Sequence, residues 1–125
     1  MAHVRQVTVG VPTNIALIKY WGKRDAALNL PINSSVSLTL HTDDLRTTTT
    51  VTASLAFEAD RLWLNGREEE VGGNARVQAV LREVRARGGD LCDPSTGAVL
   101  VPAAEWATAS VRVVSENNFP TAARA

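Results

Sequence analysis

An Asn-Gly pair, Asn65-Gly66, lies between two short runs of residues with extended character. Both residues tolerate positive φ, so the pair favours a type I′ turn and predicts a β-hairpin over residues 61–68. In that hairpin the Trp63 side chain is expected to pack on the sheet rather than to bind a base. The acids at positions 68–70 are interpreted as a solvated hairpin edge, because consecutive residues of a strand point to alternate faces.

Alternation and β-branched composition predict further strands over residues 4–11, 15–21, 35–41, 46–54 and 110–115. Strict alternation of polar and apolar side chains marks residues 35–41 as a half-buried strand. The four threonines at positions 47–50 suit an edge or half-exposed strand and require no functional explanation. Pro31 predicts a loop over residues 28–33, because proline is excluded from a central strand.

One amphipathic helix is predicted over residues 73–87. Its apolar side chains recur at positions i, i+3, i+4 and i+7 and form one stripe: Val77, Val80, Leu81 and Val84. Asn74 suits the N-cap and Gly88 suits the end of the helix. Residues 90–104 contain Pro94, Gly97 and Pro102 and are predicted to form a variable loop.

The chain has 125 residues, of which 45% are apolar and 21% are charged, and this composition suits one globular domain. The formal net charge is zero, so no global field attracts nucleic acid or an anionic membrane. The first residues contain no apolar signal-peptide core, and no apolar run is long enough to span a membrane. We therefore expect a cytoplasmic protein.

No metal site is predicted. The single cysteine, Cys92, excludes an internal disulfide and a multi-cysteine metal site, and it fits a reducing compartment. Because Cys92 lies in a polar stretch, a loop cysteine is predicted rather than a nucleophile. His41 lies near Asp43 and Asp44, but no second histidine stands at ligand spacing, and His3 is terminal. A charged surface pair is the preferred interpretation.

An apolar run at residues 15–18 is followed by a group of cations. Lys19, Lys23 and Arg24 lie close together around an aromatic pair and Gly22, which lets the backbone turn and approach a ligand. Such a group can hold a phosphorylated or otherwise anionic small molecule. Solvated cations beside packed aromatic rings are an equally open interpretation. Asn14 is either a turn residue that bonds nearby backbone or an amide that faces a reacting centre.

Residues 11–25 read Val-Pro-Thr-Asn-Ile-Ala-Leu-Ile-Lys-Tyr-Trp-Gly-Lys-Arg-Asp and resemble the N-terminal signature of the mevalonate diphosphate decarboxylase family, within the GHMP kinase superfamily. Further blocks agree with that family in order, at residues 30–37, 47–50, 63–69 and 115–123. The resemblance implies an α+β fold, the N-terminal domain of the GHMP kinase fold (ribosomal protein S5 domain 2-like). Residues 1–125 are then a partial domain, truncated before the phosphate-loop helix.

The resemblance also implies roles for individual residues. Asn14 and Lys19 would orient the reacting end of the substrate. The substrate diphosphate would be held by five residues: Tyr20, Trp21, Gly22, Lys23 and Arg76. Apart from the family, Arg76 is interpreted as a surface cation, although a cation in a first helical turn opposes the macrodipole. Ser115 and Asn117 would lie near the nucleotide.

The implied reaction is the conversion of mevalonate 5-diphosphate to isopentenyl diphosphate, with ATP and Mg²⁺ as cofactors. It belongs to the mevalonate pathway of isoprenoid and sterol biosynthesis. The implied partner is the small-molecule substrate, with no nucleic acid and no membrane, and the full-length form is expected to be a homodimer.

In the family, the block at residues 119–123 runs into a glycine-rich loop that cradles the ATP phosphates at a helix N-terminus. Here Arg124 stands where the glycine belongs, and the family's catalytic aspartate has no counterpart. We therefore expect a chain that is inactive alone, is marginally stable and exposes apolar surface. An alternative is a non-catalytic fragment that binds diphosphates, regulates or dimerises. Another GHMP small-molecule kinase is disfavoured, because residues 18–24 resemble the decarboxylase and not its kinase relatives.

Overall fold

A computed structural model describes residues 4–120 of the chain. Within them, strands and helices follow in the order β1 (Val4–Pro12), β2 (Asn14–Ile18), β3 (Lys23–Asp25), β4 (Leu30–Pro31), β5 (Val36–Thr39), β6 (Arg46–Ser54), β7 (Arg61–Leu64), β8 (Arg67–Glu69), α1 (Ala75–Arg87), β9 (Leu91–Cys92), β10 (Val99–Val101), α2 (Ala103–Thr108) and β11 (Ser110–Asn117).

The described residues divide into two compact units. The sheet unit consists of residues 4–9 and 49–116, and the signature unit consists of residues 10–48 and 117–120. A five-stranded sheet has the order β1-β6-β11-β7-β8, and three two-stranded sheets pair β2 with β5, β3 with β4, and β9 with β10. The larger sheet is mixed, because β7 is parallel to β11 and antiparallel to β8.

The predicted hairpin is confirmed as strands β7 and β8. Both turn residues have positive φ, 49° at Asn65 and 77° at Gly66, as a type I′ turn requires. Trp63 is half-buried, and the guanidinium of Arg61 lies over its ring, 4.7 Å from the centroid. The acids at positions 68–70 are exposed, and β8 ends the strand order, so they do form a solvated edge.

An ion pair between Asp60 and Arg85 ties helix α1 to the starts of β7 and β11. Arg85 Nη2 donates to Asp60 Oδ1 at 2.6 Å and to the Ala109 carbonyl at 3.0 Å. The Val111 amide donates to the same Asp60 oxygen at 2.8 Å. Burial acts to raise the pKa of Asp60, but the hydrogen bonds from Arg85 and Val111, with the charge of Arg85, leave that pKa below its ordinary value.

Few residues of the described chain are buried. They are Leu62, Val101, Ala109 and Ser54. Many apolar side chains are exposed instead, including Val7 at 62% and Val9 at 50%. The predicted exposure of apolar surface is therefore confirmed, and the marginal stability inferred from it stays a prediction.

The prediction of a loop over residues 90–104 is wrong, because this stretch forms the β9–β10 hairpin and leads into α2. The Asp93 carboxylate accepts hydrogen bonds from the amides of Ser95 at 2.7 Å and Thr96 at 3.0 Å. Gly97 then has a φ of 71°, so the turn residues of this stretch close a tight hairpin. Cys92 accordingly lies exposed on a strand and not in a loop.

Helix α1 confirms the predicted helix and its Asn74 N-cap, and its covered face matches the predicted stripe in part. Val77 and Leu81 of that stripe are half-buried, as is Arg85, whereas Val80 and Val84 are 56% and 63% exposed. Residues 81 and 85 are neighbours on a helix face. The hydrogen bonds of Arg85 to Asp60 and Ala109 therefore orient the helix face with Leu81 and Arg85, rather than the face with Val84, toward these two residues.

β6 lies between β1 and β11 and its threonines are half-buried, so the prediction of a half-exposed strand is confirmed and its alternative, an edge strand, is wrong. Two other strands are placed differently from the predictions. β5 is exposed and not half-buried, with Val36 at 49% and Leu38 at 57%, because it belongs to a two-stranded sheet with β2. The predicted loop at residues 28–33 contains the short strand β4, which pairs with β3.

Replacement of Asp60 by asparagine tests the ion pair to Arg85. We expect Asp60→Asn to lower the free energy of unfolding by roughly 2 kcal/mol at neutral pH, because a charge-assisted hydrogen bond in a partly buried site is weakened. A group with a lowered pKa contributes its full stability above its ordinary value, here 3.8, and the contribution is lost as the pH falls through the folded-state pKa. Urea unfolding of the unchanged chain and of Asp60→Asn should therefore give a difference in the free energy of unfolding that becomes smaller at acidic pH.

The matched control is Glu83→Gln, which breaks an exposed pair with Arg87 at 3.2 Å. Exposed pairs contribute little, so this change should cost less than about 0.5 kcal/mol. An Asp60→Asn difference that is equally small, or that does not change with pH, would contradict the role assigned to Asp60.

Candidate functional site

Residues 19–22 form a segment between β2 and β3 in the signature unit, in which residues 19–21 are exposed and Gly22 is half-buried. β2 pairs antiparallel with β5, and the pairing ends with Ile18 opposite Val36, so the prediction that this strand continues to Trp21 is wrong. Asn14 is the first residue of β2 and pairs with Thr39. Asn14 is therefore a strand residue, and the interpretation as a turn residue is also wrong.

The side chains of this segment face solvent. Tyr20 is 47% exposed and Trp21 is 90% exposed, and Lys19 and Lys23 are exposed beside them. The interpretation in which these rings are packed is therefore incorrect for Trp21. Two ammonium groups and two aromatic rings remain accessible to a ligand, and an exposed cluster of this kind is typical of a binding surface.

Two contacts from residues that follow β4 hold the main chain of this segment. The Ile32 amide donates to the Gly22 carbonyl at 2.9 Å, and Asn33 Oδ1 accepts from the Trp21 amide at 3.2 Å. Gly22 does not have a positive φ, so the backbone freedom expected of it is not used. A Cβ at Gly22 would lie 3.0 Å from Ile32 Cδ1, so the glycine instead leaves room for the Ile32 side chain.

Lys23 begins β3, which pairs antiparallel with β4, and Lys23 lies opposite Pro31. The turn after β3 is closed by Asp25 Oδ1, which accepts from the Leu28 amide at 2.8 Å. Lys23 and Asp25 pair with the consecutive residues Pro31 and Leu30, so the register shifts between them and Arg24 has no partner in the β3–β4 register. Lys23 and Arg24 are both exposed.

Arg76 lies in the sheet unit, where it is the exposed second residue of α1. The turn before the helix is fixed by Gln78 Nε2, which donates to the carbonyls of Val71 at 3.1 Å and Gly72 at 2.7 Å. The first turn of α1 contains no acidic residue. Arg76 therefore opposes the helix macrodipole without a carboxylate in that turn, and an anionic ligand would offset this cost.

Ser115 and Asn117 are held by threonines of β6. In the sheet unit, the hydroxyls of Ser115 and Thr49 lie 2.8 Å apart, and in the signature unit Thr47 Oγ1 donates to Asn117 Oδ1 at 2.6 Å. These threonines were interpreted as structural residues without a functional part. The signal that could have identified them is their spacing, because positions 47 and 49 share a strand face, as do positions 115 and 117.

Within residues 4–120, no group of three or more His, Cys, Asp or Glu side chains could hold a metal ion. His41 and Asp43 form an exposed pair, with Nδ1 and Oδ2 3.6 Å apart. No helix in the described part of the chain is both long and apolar enough to cross a membrane. The predictions that concern His3 and Arg124 fall outside the described residues.

The fold is that of the N-terminal domain of the GHMP kinase fold, as predicted. A mevalonate diphosphate decarboxylase structure from Trypanosoma brucei is 42% identical, with a TM-score of 0.73, and the match covers 94% of this chain and 28% of that chain. A structure of MDDEF in complex with MVAPP, AMPPCP and magnesium is 31% identical, with a TM-score of 0.63, and the match covers 96% of this chain and 31% of that chain.

The model of the diphosphomevalonate decarboxylase-like N-terminal domain matches residues 11–125, so the chain belongs to this family. The diphosphomevalonate decarboxylase of Schizosaccharomyces pombe is 52% identical over 120 residues, which are 96% of this chain and 29% of that protein. The rat protein of the same name is 55% identical over 117 residues, 94% of this chain and 28% of that protein. The chain thus spans less than a third of the length of these relatives.

Replacement of Gly22 by alanine tests the local geometry of the segment. The added Cβ would meet only the end of the flexible and 66% exposed Ile32 side chain. We therefore expect Gly22→Ala to shift the NMR signals of Ile32 and to change the free energy of unfolding by less than about 1 kcal/mol. The control, Gly66→Ala, places a side chain at a φ of 77° and should cost roughly 1–2 kcal/mol. A larger loss for Gly22→Ala than for Gly66→Ala would show that this account of Gly22 is incorrect.

Proposed function

We propose that this chain supplies the substrate-diphosphate site of an enzyme that converts (R)-5-diphosphomevalonate to isopentenyl diphosphate, with ATP and Mg²⁺ as cofactors. The observation that carries the proposal is the segment of residues 19–22 with its exposed Lys19 and the exposed Lys23 that follows it. Residues 32 and 33 hold the main chain of this segment by hydrogen bonds. Membership of the decarboxylase-like family supports the choice of substrate.

The diphosphate is the part of the substrate that we assign to Tyr20, Trp21, Gly22 and Lys23. The Lys23 ammonium and the Tyr20 hydroxyl can donate charge-assisted hydrogen bonds to phosphate oxygens. Trp21 would cover the bound anion on one side, and the removal of water strengthens such electrostatic contacts. The observed exposure of the Tyr20, Trp21 and Lys23 side chains supports a ligand-facing role.

The reacting end of the substrate is assigned to Asn14 and Lys19. In this reaction the tertiary hydroxyl is phosphorylated, phosphate leaves, and the electrons of the carbon–carboxylate bond fill the position that becomes positive. A fixed ammonium and a fixed amide can orient the carboxylate and hydroxyl before these steps, and positioning of this kind supplies much of the catalysis. The position of Asn14 on β2 supports the assignment, because a strand holds a side chain more firmly than a turn does.

Arg76 is assigned to diphosphate binding by its family motif. A guanidinium can donate two parallel hydrogen bonds to phosphate oxygens, which an ammonium cannot do. The first turn of α1 has no acid that would compete for this cation. Arg76 and the segment of residues 19–23 lie in different units, so each is assigned from its own surroundings.

Ser115 and Asn117 are assigned to the nucleotide. ATP, when bound, supplies the phosphoryl group, and Mg²⁺ is commonly held by substrate phosphates with few protein ligands. The hydroxyl of Ser115 and the amide of Asn117 suit hydrogen bonds to such a group, and their threonine partners fix their rotamers. We assign no metal ligand among the described residues.

We further propose that the 125-residue chain by itself binds the diphosphate but does not release CO₂. The residues that the family resemblance assigns to the substrate are present, whereas the chain spans only 29% of the length of the Schizosaccharomyces pombe relative. The second candidate function is a non-catalytic fragment that regulates or pairs with a longer subunit. For the complete enzyme we propose a cytoplasmic homodimer, in the mevalonate pathway of isoprenoid biosynthesis.

Replacement of Lys23 by alanine tests the diphosphate site. By isothermal titration calorimetry, Lys23→Ala should weaken the binding of mevalonate 5-diphosphate by roughly tenfold or more, because one charge-assisted hydrogen bond is lost. Arg24→Ala is the matched control, since it removes a neighbouring exposed positive charge to which no role in holding the diphosphate is assigned. It should change the affinity by less than about threefold.

Equal losses in the two variants would indicate non-specific attraction of an anion and would reject the assigned site. Mevalonate without the diphosphate serves as a second control ligand and should bind far more weakly to the unchanged chain. Similar affinity for both ligands would place recognition away from the phosphates.

An assay for ADP and CO₂ separates the proposed functions. We expect the chain alone to release neither product while it still binds mevalonate 5-diphosphate. Turnover would contradict the proposal that the chain only binds. Absence of both binding and turnover, together with a stable complex with a longer decarboxylase on size-exclusion chromatography, would favour the regulatory function.

A further inference from the structure

The side chain of Asn33 joins two points of the cationic segment. Its Oδ1 accepts from the Trp21 amide at 3.2 Å, and its Nδ2 donates to the Lys19 carbonyl at 3.2 Å. The same Nδ2 donates to the Ser34 carbonyl at 3.1 Å. One amide group thus uses its acceptor and both of its donors on main-chain groups, two of which flank Tyr20.

These bonds connect residues that are distant along the chain. Asn33 lies 12 residues from Trp21 and 14 residues from Lys19 in sequence. The neighbouring Ile32 amide adds a bond to the Gly22 carbonyl at 2.9 Å. Main-chain groups of the segment are therefore held at residues 19, 21 and 22, while its side chains remain directed to solvent.

A segment without such bonds would sample many conformations, because it is exposed and belongs to no strand. Binding a ligand would then require that the segment be ordered, which lowers affinity. We propose that Asn33 is a positioning residue: it fixes the main chain of residues 19–22 so that their side chains meet a diphosphate without further ordering. This inference rests on the proposed diphosphate site.

Asn33 acts through the segment and not by contact with the ligand. Its own donors and acceptor are already used on main-chain groups, so it has no free donor to offer a phosphate. The side chain is exposed, so its loss should change global stability little and local order strongly. This difference separates a positioning role from a general structural one.

The test compares Asn33→Ala with Asn118→Ala in the 125-residue chain. Asn118 is a matched control in the same unit, because its Oδ1 accepts from the Arg46 amide at 2.8 Å and its Nδ2 donates to the Asp44 carbonyl at 2.7 Å. It therefore loses the same kinds of bonds at a site that does not contact residues 19–22. Two quantities are measured: hydrogen exchange of the Trp21 amide without ligand, and the affinity for mevalonate 5-diphosphate.

We expect Asn33→Ala to speed exchange of the Trp21 amide by at least about fivefold and to weaken binding by roughly five- to tenfold. Asn118→Ala should leave both quantities within about twofold of the unchanged chain. Unchanged Trp21 exchange in Asn33→Ala, or equal effects of the two variants, would overturn the positioning role.

The two proposals can fail separately. If the unchanged chain binds no mevalonate 5-diphosphate, the proposed function fails, and the exchange of the Trp21 amide still decides whether Asn33 fixes the segment. If the unchanged chain binds and Asn33→Ala binds equally well despite faster exchange, the site stands and the positioning role is rejected.

Discussion

The sheet unit depends on the Asp60 carboxylate, which accepts hydrogen bonds from two different elements. Its Oδ1 accepts from Arg85 of α1 and from the Val111 amide of β11, and Asp60 itself directly precedes β7. A helix and two parallel strands therefore meet at one charged atom. The elements that carry Arg76 and Ser115 depend on this contact, because each side chain is placed by the element to which it belongs. The apolar core is too small to position these elements alone.

Local signals account for the parts of the fold that the sequence predicted correctly. The hairpin at Asn65-Gly66 and the N-cap at Asn74 depend only on residues within a few positions, and both are present. The β9–β10 hairpin was missed because its turn is closed by the Asp93 side chain, which composition alone does not reveal. The covered face of α1 was predicted only in part, because it includes Arg85, whose partner lies 25 residues away in sequence.

The same contrast between local signals and distant partners applies to the candidate site. The family signature names Lys19 to Lys23, and the structure describes them as an exposed segment, but neither alternation nor charge indicates what holds that segment. Its support comes from Asn33, an asparagine in a stretch predicted to be a loop. The partners of Ser115 and Asn117 were likewise among threonines to which no function was given. Side chains that bond distant groups leave no periodic pattern in a sequence.

The parallel pairing of β7 with β11 has a consequence for the order of folding. The β7–β8 hairpin joins neighbouring residues and can close within microseconds, whereas the Asp60 to Val111 bond joins residues 51 positions apart. Bringing these two distant residues together lowers the entropy of the chain before any contact between them can offset that cost. β11 should therefore join the sheet late. Since β11 separates β6 from β7 in the strand order, β1 and β6 cannot join the β7–β8 hairpin until β11 is in place. During folding, two strand edges therefore stay open for association with other chains.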